Sequence, residues 1–413
     1  MAIDVRPILK DRAESDAIDL LLSVDVSAFG GEPDPEQLEA ELPVAEFERI
    51  VLAWDDDEPV GCTGVYSLEM SVPGGSVRAA GVTWVGVVPT HRRQGVMSAL
   101  MNDRHQAIYE AGEEPIAGLW ASQAPLYQRY GYGVATQHLS VKVERRNSST
   151  SRAPSDPSLK LRMLEPADDA EVTQQVYDTL RQRRPGMNAI DSRWHKFCVQ
   201  DPKADREGAS KLRTVVVEQA GKPLAYARYS LKHDWSNGYA DGTVNVRHLV
   251  ATTPAAEAEL WRHLFGLDLF ERVSVWNLAI DDPLPTWLDE PRHVDAQRAD
   301  ALYIKLIRVG EALEQRTYTT DVDVIFEVRD EQSPWNAGCW QLTGGVDGAQ
   351  CQRSTRTPDI SLDASTLGAI YLGGTTLNDL AAAGWVEEHS QGAVARTSMA
   401  FTHFPTAWSP FVF

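Results

Sequence analysis

Thr83-Trp84-Val85-Gly86-Val87-Val88-Pro89-Thr90-His91-Arg92-Arg93-Gln94-Gly95-Val96 decides how this chain reads. A β-rich run passes through a proline-led polar turn with two arginines and, after Gly95, enters an apolar-periodic segment. Val96, Leu100, Ala107, Ile108 and Ala111 form one stripe of a helix, and Gly112 is its stop signal. Such a strand, turn and helix start aims free backbone N–H groups and the positive end of a helix dipole at one point. A phosphate or pyrophosphate fits there, with Gly95 allowing close approach and Arg92 and Arg93 adding charge. An ordinary strand-to-helix turn with solvated arginines would look the same. The turn lacks the spacing of a P-loop and the G-x-G-x-x-G of a dinucleotide site.

Outward from this stretch the pattern alternates. Residues 47–53 and 61–72 read as strands joined by the acidic turn Asp55-Asp56-Asp57-Glu58-Pro59, and 78–88, 116–121 and 133–143 as further strands. This predicts a mixed α/β layer domain. The stretch 147–158, NSSTSRAPSDPS, has no apolar periodicity and reads as a linker. Beyond it the element order repeats without the glycine-and-arginine loop: helix 167–183, strands at 214–217, 223–231 and 244–250, helix 254–267, strand 273–278. From 301 the texture changes to strands at 322–328 and 339–342 and helices at 365–371 and 376–383, a smaller α+β domain. The expected division is 1–146, a linker at 147–158, 159–300 and 301–413, and 413 residues agree with two to three domains.

Composition narrows the function classes. With 12 Trp, 12 Tyr and 10 Phe the chain is not disordered, and a formal charge of −20 repels nucleic acid and acidic membrane surfaces. Residues 1–60 hold 17 acids against 4 bases. That excess attracts cationic small molecules and also serves solubility, and charge alone does not choose. Cys62, Cys198, Cys339 and Cys351 make neither a disulfide framework nor a zinc site, so no metal is expected. The run Ile18 to Val24 has no basic leader or cleavage site, and no run reaches membrane-helix length, so a cytoplasmic protein is expected.

Arg92-Arg93-Gln94-Gly95-Val96-Met97 resembles the [QR]-x-x-G-x-[GA] pyrophosphate loop of the GCN5-related N-acetyltransferases (GNAT), with Met97 departing from the usual Gly or Ala. About thirty residues on, Ala124-Pro125-Leu126-Tyr127-Gln128-Arg129-Tyr130-Gly131-Tyr132 resembles the same superfamily's A-x-x-L-Y-x-[RK]-x-G-[FY] segment. With the V-P-T-H-R-R-x-G run, the three-part length and the aromatic C-terminus, the chain is similar over its whole length to the Eis acetyltransferases. The resemblance implies an α/β architecture of two tandem GNAT-like mixed-sheet domains, the second without a cofactor loop, followed by a sterol-carrier-protein-like α+β domain. It further implies a homohexamer that uses acetyl-CoA to acetylate amines of aminoglycosides, polyamines or lysine side chains.

By the same resemblance, Val85, Gly86 and Val87 would hold the acetyl and pantetheine end, and Arg93, Gln94, Gly95, Val96, Met97 and Ser98 the pyrophosphate. Ser122 and Gln123 would add a further contact, and Tyr127 would be the general acid. A phenol near the departing thiolate suits that role, and an aromatic packed at a helix-to-strand corner would look the same. The end of the chain, Phe404-Pro405-Thr406-Ala407-Trp408-Ser409-Pro410-Phe411-Val412-Phe413, is apolar and proline-stiffened, so it is expected to dock. The family resemblance implies that the Phe413 carboxylate reaches the first domain's active site as general base; an apolar plug is the other reading. Asp25 and Trp84 are weaker candidates for an amine pocket, more readily read as a surface acid and a core aromatic. His233, His248, His263 and His293 pair with no nucleophile, so no hydrolase triad is expected. A non-catalytic scaffold is the reading from another class, and a protein-lysine acetyltransferase shares the chemistry with a more open pocket.

Overall fold

The computed structural model describes residues 3–10, 13–31 and 34–413. The chain forms two compact units. One comprises 1–136, 301–404 and 411–413, and the other 137–300 and 405–410.

In the first unit the strands β1 (Asp4–Pro7), β2 (Val51–Asp55), β3 (Glu58–Val72), β4 (Gly75–Val87), β5 (Ile116–Trp120) and β6 (Gly133–Val134) belong to one seven-stranded sheet. Helices α1 (Glu14–Phe29), α2 (Pro35–Glu41), α3 (Val96–Ala111) and α4 (Ala124–Gln128) accompany them. Residues 47–49, expected as strand, form a short 3-10 turn that buries Phe47 before β2 starts at Val51. The core falls into two clusters: Leu21, Val24, Leu52, Val96 and Leu100 pack together, and Val82, Met101, Leu119, Tyr127, Tyr130 and Tyr132 form the second.

The second unit holds β7 (Gln137–Glu144), β8 (Leu159–Met163), β9 (Arg213–Gln219), β10 (Lys222–Lys232), the small hairpin β11 (Trp235–Ser236) and β12 (Tyr239–Ala240), β13 (Gly242–Ala251), β14 (Phe270–Ala279) and β15 (Val294–Asp300). Its helices include α5 (Pro166–Arg181), α6 (Ser192–Cys198) and α7 (Pro254–Phe265). Its sheet runs β15-β7-β14-β13-β10-β9-β8, and with β16 (Leu302–Leu306) the first sheet runs β1-β2-β3-β4-β5-β16-β6. Read from the opposite edge, the two orders coincide, with one exchange. β7 follows β6 in the chain yet pairs in the second sheet, and β16 follows β15 yet pairs in the first.

The stretch 133–143, read as one strand, is therefore two. The break falls at Ala135 and Thr136, whose N–H groups both donate to the Leu302 carbonyl, while Thr136 Oγ1 accepts the Leu302 N–H at 3.0 Å. The expected boundary at 146 lies past the point where the chain leaves the first sheet. The stretch 147–158 is fastened to the second unit. Arg262 donates to the carbonyls of Ala153 and Pro154, and Asp289 accepts from Ser149 and Ser151.

The first unit also carries a five-stranded sheet, β17 (Val322–Arg329), β18 (Gly338–Gly345), β19 (Gly348–Arg353), β20 (Ile360–Asp363) and β21 (Val386–Glu388), in the order β19-β18-β17-β20-β21. Its helix Ala364–Ile370 lies so close to β16 and β6 that a Cβ on Gly133 would collide with the Ser365 carbonyl. Lys305 of β16 is fully buried and donates to Asp330 at 2.8 Å.

Candidate active site

Two interruptions in β4 open the site. Thr83 pairs with Gly64 and Gly86 with Cys62, so β4 carries a bulge at Trp84 and Val85, and Trp84 adopts φ +54°. Cys62 Sγ donates to the Trp84 carbonyl at 3.1 Å and Trp84 Nε1 to Tyr66 Oη at 3.2 Å, which holds the strained residue in place. β4 and the parallel β5 pair only at 79–81 with 116–118. Beyond that they part, and a cavity of about 420 Å³ opens between Val82 to Val85 on one side and Leu119, Trp120 and Ser122 on the other.

At the end of β4 the chain turns into α3. Arg93 (φ +63°) and Gly95 (φ +89°) shape the turn, and a Cβ on Gly95 would meet nothing within 4 Å. Gly95 caps the helix without a side chain, the first turn carries no acid, and the first helical bond runs from Ala99 N–H to the Gly95 carbonyl. The N–H groups of 96–98 thus have no helical acceptor, as a pyrophosphate cradle needs. Arg93 and Gln94 are exposed there, and Gln94 Nε2 braces the turn through the Thr90 carbonyl at 2.9 Å. Arg92 plays another part: it donates to the carbonyls of Ala28 (2.6 Å) and Val87 (3.3 Å), tying α1 to β4. Met97 Sδ accepts from Arg129 at 3.7 Å, and Ser98 Oγ bonds Tyr130 Oη at 2.9 Å.

Tyr127, near the end of α4, is buried and lines the cavity. Burial pushes its phenol above the ordinary tyrosine value, a hydrogen bond with Ser122 opposes the rise, and the neighbouring Tyr130 adds to it. Its ring stands edge-on to Tyr132 at 6.3 Å, and Tyr132 Oη is held at 3.0 Å from the buried His105 Nε2. The phenol is thereby fixed and keeps its proton at neutral pH. Ser122 lines the cavity; Gln123 is exposed at the start of α4 and is not among the lining residues.

The opposite wall comes from α1 and α2. Asp25 on α1, Asp34 at the cap of α2 and Glu41 at its last turn place three carboxylates around the same space as Trp84, Trp120 and Phe29. Asp34 accepts the N–H groups of Glu36 (2.7 Å) and Gln37 (3.4 Å), which sets the helix. Burial raises the Asp25 carboxyl, and burial together with the negative Asp25 raises Glu41 to about 7. Phe413 also lines the cavity, its ring 3.1 Å from where a Gly81 Cβ would stand.

The structure thus gathers Val85, Ser122, Tyr127, Phe413 and the weaker candidates Asp25 and Trp84 around one space. Asp34, Glu41, Phe29 and Trp120 were not singled out from sequence. The one trace of the acids was the charge excess of residues 1–60.

Residues 11–135 match the acetyltransferase (GNAT) domain family, residues 186–309 match a second GNAT domain family, and residues 309–410 match the sterol carrier protein domain family. An uncharacterized N-acetyltransferase of Streptomyces avermitilis is 40% identical, with 93% of this chain and 94% of that one covered. N-acetyltransferase Eis of Mycobacterium tuberculosis is 31% identical, covering 83% of each. Among solved structures, Eis1 from Mycobacterium abscessus superposes with a TM-score of 0.83 at 29% identity over 100% of both chains. Two GNAT folds followed by a sterol-carrier fold, with relatives of this kind, define an N-acetyltransferase enzyme. The chain belongs to the Eis-like family of GNAT acetyltransferases. No described helix is long and apolar enough to cross a membrane.

Proposed function

We propose that this enzyme transfers the acetyl group of acetyl-CoA to an amine of a small polycation of the aminoglycoside or polyamine class. The observation that carries the reading is a single cavity bounded by the parted β4 and β5, by Tyr127 and by three carboxylates. Acetyl-CoA supplies an activated thioester. The residues present suit it, since the first-turn N–H groups at 96–98 have no helical acceptor, Arg93 is exposed in the turn before them, and β4 has no strand partner on its β5 side past Gly81. Val85 to Val87 would hold the acetyl and pantetheine end, and 93–98 the pyrophosphate.

In this reading Asp25, Asp34 and Glu41 draw the cationic acceptor in, and Trp84, Trp120 and Phe29 offer faces to its ammonium groups. An ammonium has no lone pair, so a base must take its proton first; the Phe413 carboxylate is assigned that step. Tyr127, still protonated at neutral pH, gives its proton to the departing thiolate. By family membership we also propose a cytoplasmic homohexamer, which sedimentation of the purified protein tests.

The test is acetyl-CoA-dependent thiol release with spermidine, kanamycin-type aminoglycosides, free lysine and a lysine peptide. Turnover with polyamine or aminoglycoside is expected. Turnover with the peptide alone would replace this reading with protein acetylation. Adding two glycines after Phe413 moves a terminal carboxylate by up to ~7 Å, so full turnover in that variant would refute the base assignment.

A further inference from the structure

The second sheet repeats the parted strands of the first and fills the gap differently. β13 and β14 run parallel and pair only over 242–246 and 270–275. Beyond that point Leu249 and Ala251 on one strand and Leu278 and Ala279 on the other line a residual space of about 50 Å³, closed by Trp408. In the first sheet the equivalent separation, between β4 and β5, opens the catalytic cavity.

Trp408 belongs to a segment held by a dense set of bonds within this unit. The Asn277 side chain of β14 donates to the carbonyls of Ser409 (3.0 Å) and Pro410 (3.3 Å) and accepts Trp408 Nε1 at 2.8 Å. The Trp408 N–H donates to the Pro185 carbonyl at 2.9 Å, and the Thr406 N–H to Asp281 at 2.9 Å. Arg184 bonds the Thr406 carbonyl at 2.8 Å and Asp281 at 2.7 Å. Asn277 therefore spends both amide protons and its oxygen on this segment, at 3% exposure, where an unpaired amide would be costly.

The place of the phosphate cradle is closed as well. α7 starts with Pro254, which has no N–H, and the Thr253 hydroxyl already accepts the Ala256 N–H at 3.3 Å. Glu257 in the first turn of α7 and Asp282 are half-buried and both line the residual space. Burial raises both, Asp282 to about 6, and each feels the other. Arg184 also lines this space, but its guanidinium is already engaged by Asp281 and the Thr406 carbonyl, so what the cleft holds is a neutral backbone.

We propose that the cleft between β13 and β14 is a peptide-binding site: a donor cleft of the GNAT kind converted to hold the extended, proline-flanked segment Thr406–Pro410, with Asn277 as its main reader, and closed to CoA thioesters. The site is independent of which residue acts as base in the first unit.

Hydrogen exchange of the full-length protein tests this. The Thr406 and Trp408 amides should exchange at least a hundredfold more slowly than in a free peptide of residues 405–413, with or without saturating acetyl-CoA. Asn277→Ala should bring them to within roughly tenfold of the free peptide while the 242–246 amides keep their protection. Trp408→Phe, which keeps an aromatic side chain but loses the indole N–H that Asn277 accepts and part of the ring, should speed them by roughly tenfold while the 242–246 amides keep their protection. Free-peptide rates in the unaltered protein, or rates indifferent to both substitutions, would overturn the proposal. So would acceleration of these two amides by acetyl-CoA, since that would mean the thioester competes for the cleft.

Discussion

Glu41→Gln should make the enzyme more stable and less able to bind its acceptor, and the first effect has a pH signature. Glu41 rises from 4.5 to about 7 because burial and Asp25 both disfavour its charge. Between those two values the folded chain holds a proton that the unfolded chain has lost, so stability falls as pH rises from 4.5 to 7 and stays reduced above it. At 1.36 kcal/mol per pH unit the full loss is about 3 kcal/mol, an upper figure because the side chain is only partly withdrawn from water. A glutamine carries no such charge. The variant should match the parent near pH 4 and gain about 2 kcal/mol at pH 8, roughly 4–8 °C in Tm for a unit of this size. Acceptor binding should show the reverse. In the parent about one Glu41 in eleven is ionised at pH 6 and ten in eleven at pH 8, so KM for a polycation should fall about tenfold between them. In the variant KM should be high and show no such fall. Thermal denaturation of both proteins at pH 4, 6 and 8 is the deciding assay. A variant no more stable than its parent at pH 8 would refute the claim that Glu41 is charged at a cost in the free cavity.

Other substitutions probe the remaining parts. Tyr127→Phe removes only the hydroxyl that bonds Ser122, so kcat should drop by about 10²–10⁴-fold with unchanged acetyl-CoA affinity and Tm. Gly95→Ala places a Cβ at φ +89° where nothing obstructs it, so CoA affinity measured by calorimetry should fall at least about tenfold while the fold loses only about 1–2 kcal/mol. Lys305→Met strands the buried Asp330 carboxylate and should cost about 3–5 kcal/mol in urea denaturation, with Lys305→Met/Asp330→Asn recovering most of it. Gly133→Ala drives a Cβ into the Ser365 carbonyl and should lower Tm by more than 5 °C, on the scale of a loss of a few kcal/mol.

What was legible in the sequence was local. The turn at 92–98 and the tyrosine segment at 124–132 are contiguous, and each is fixed by its own residues: Gly95 by its φ, α3 by its apolar stripe and its Gly112 stop. The acidic wall was not legible. Helix α2 spans seven residues, and its Glu36 and Glu41 look alike in the sequence, yet Glu41 alone lines the cavity. Trp84 has the composition of an ordinary strand residue; its positive φ follows from the bulge opposite Thr63, which depends on how β3 pairs with β4. The break at Ala135 was hidden for the same reason, because its hydrogen-bond acceptor is Leu302, far along the chain. Trp408 and Asn277 are likewise partners across 131 residues.

The exchange of β7 and β16 has a consequence for how the protein comes into being. During synthesis β5 emerges with one flank bare, and the strand that covers it, β16, follows only after ~180 further residues. At ribosomal rates of about 5–20 residues per second that gap lasts on the order of ten to forty seconds. Over that interval the nascent chain carries an open strand edge beside its future active site, a surface prone to pair with other chains. A gene cut at the apparent linker would make that interval permanent, so the amino-terminal fragment expressed alone should collect in the insoluble fraction or on chaperones.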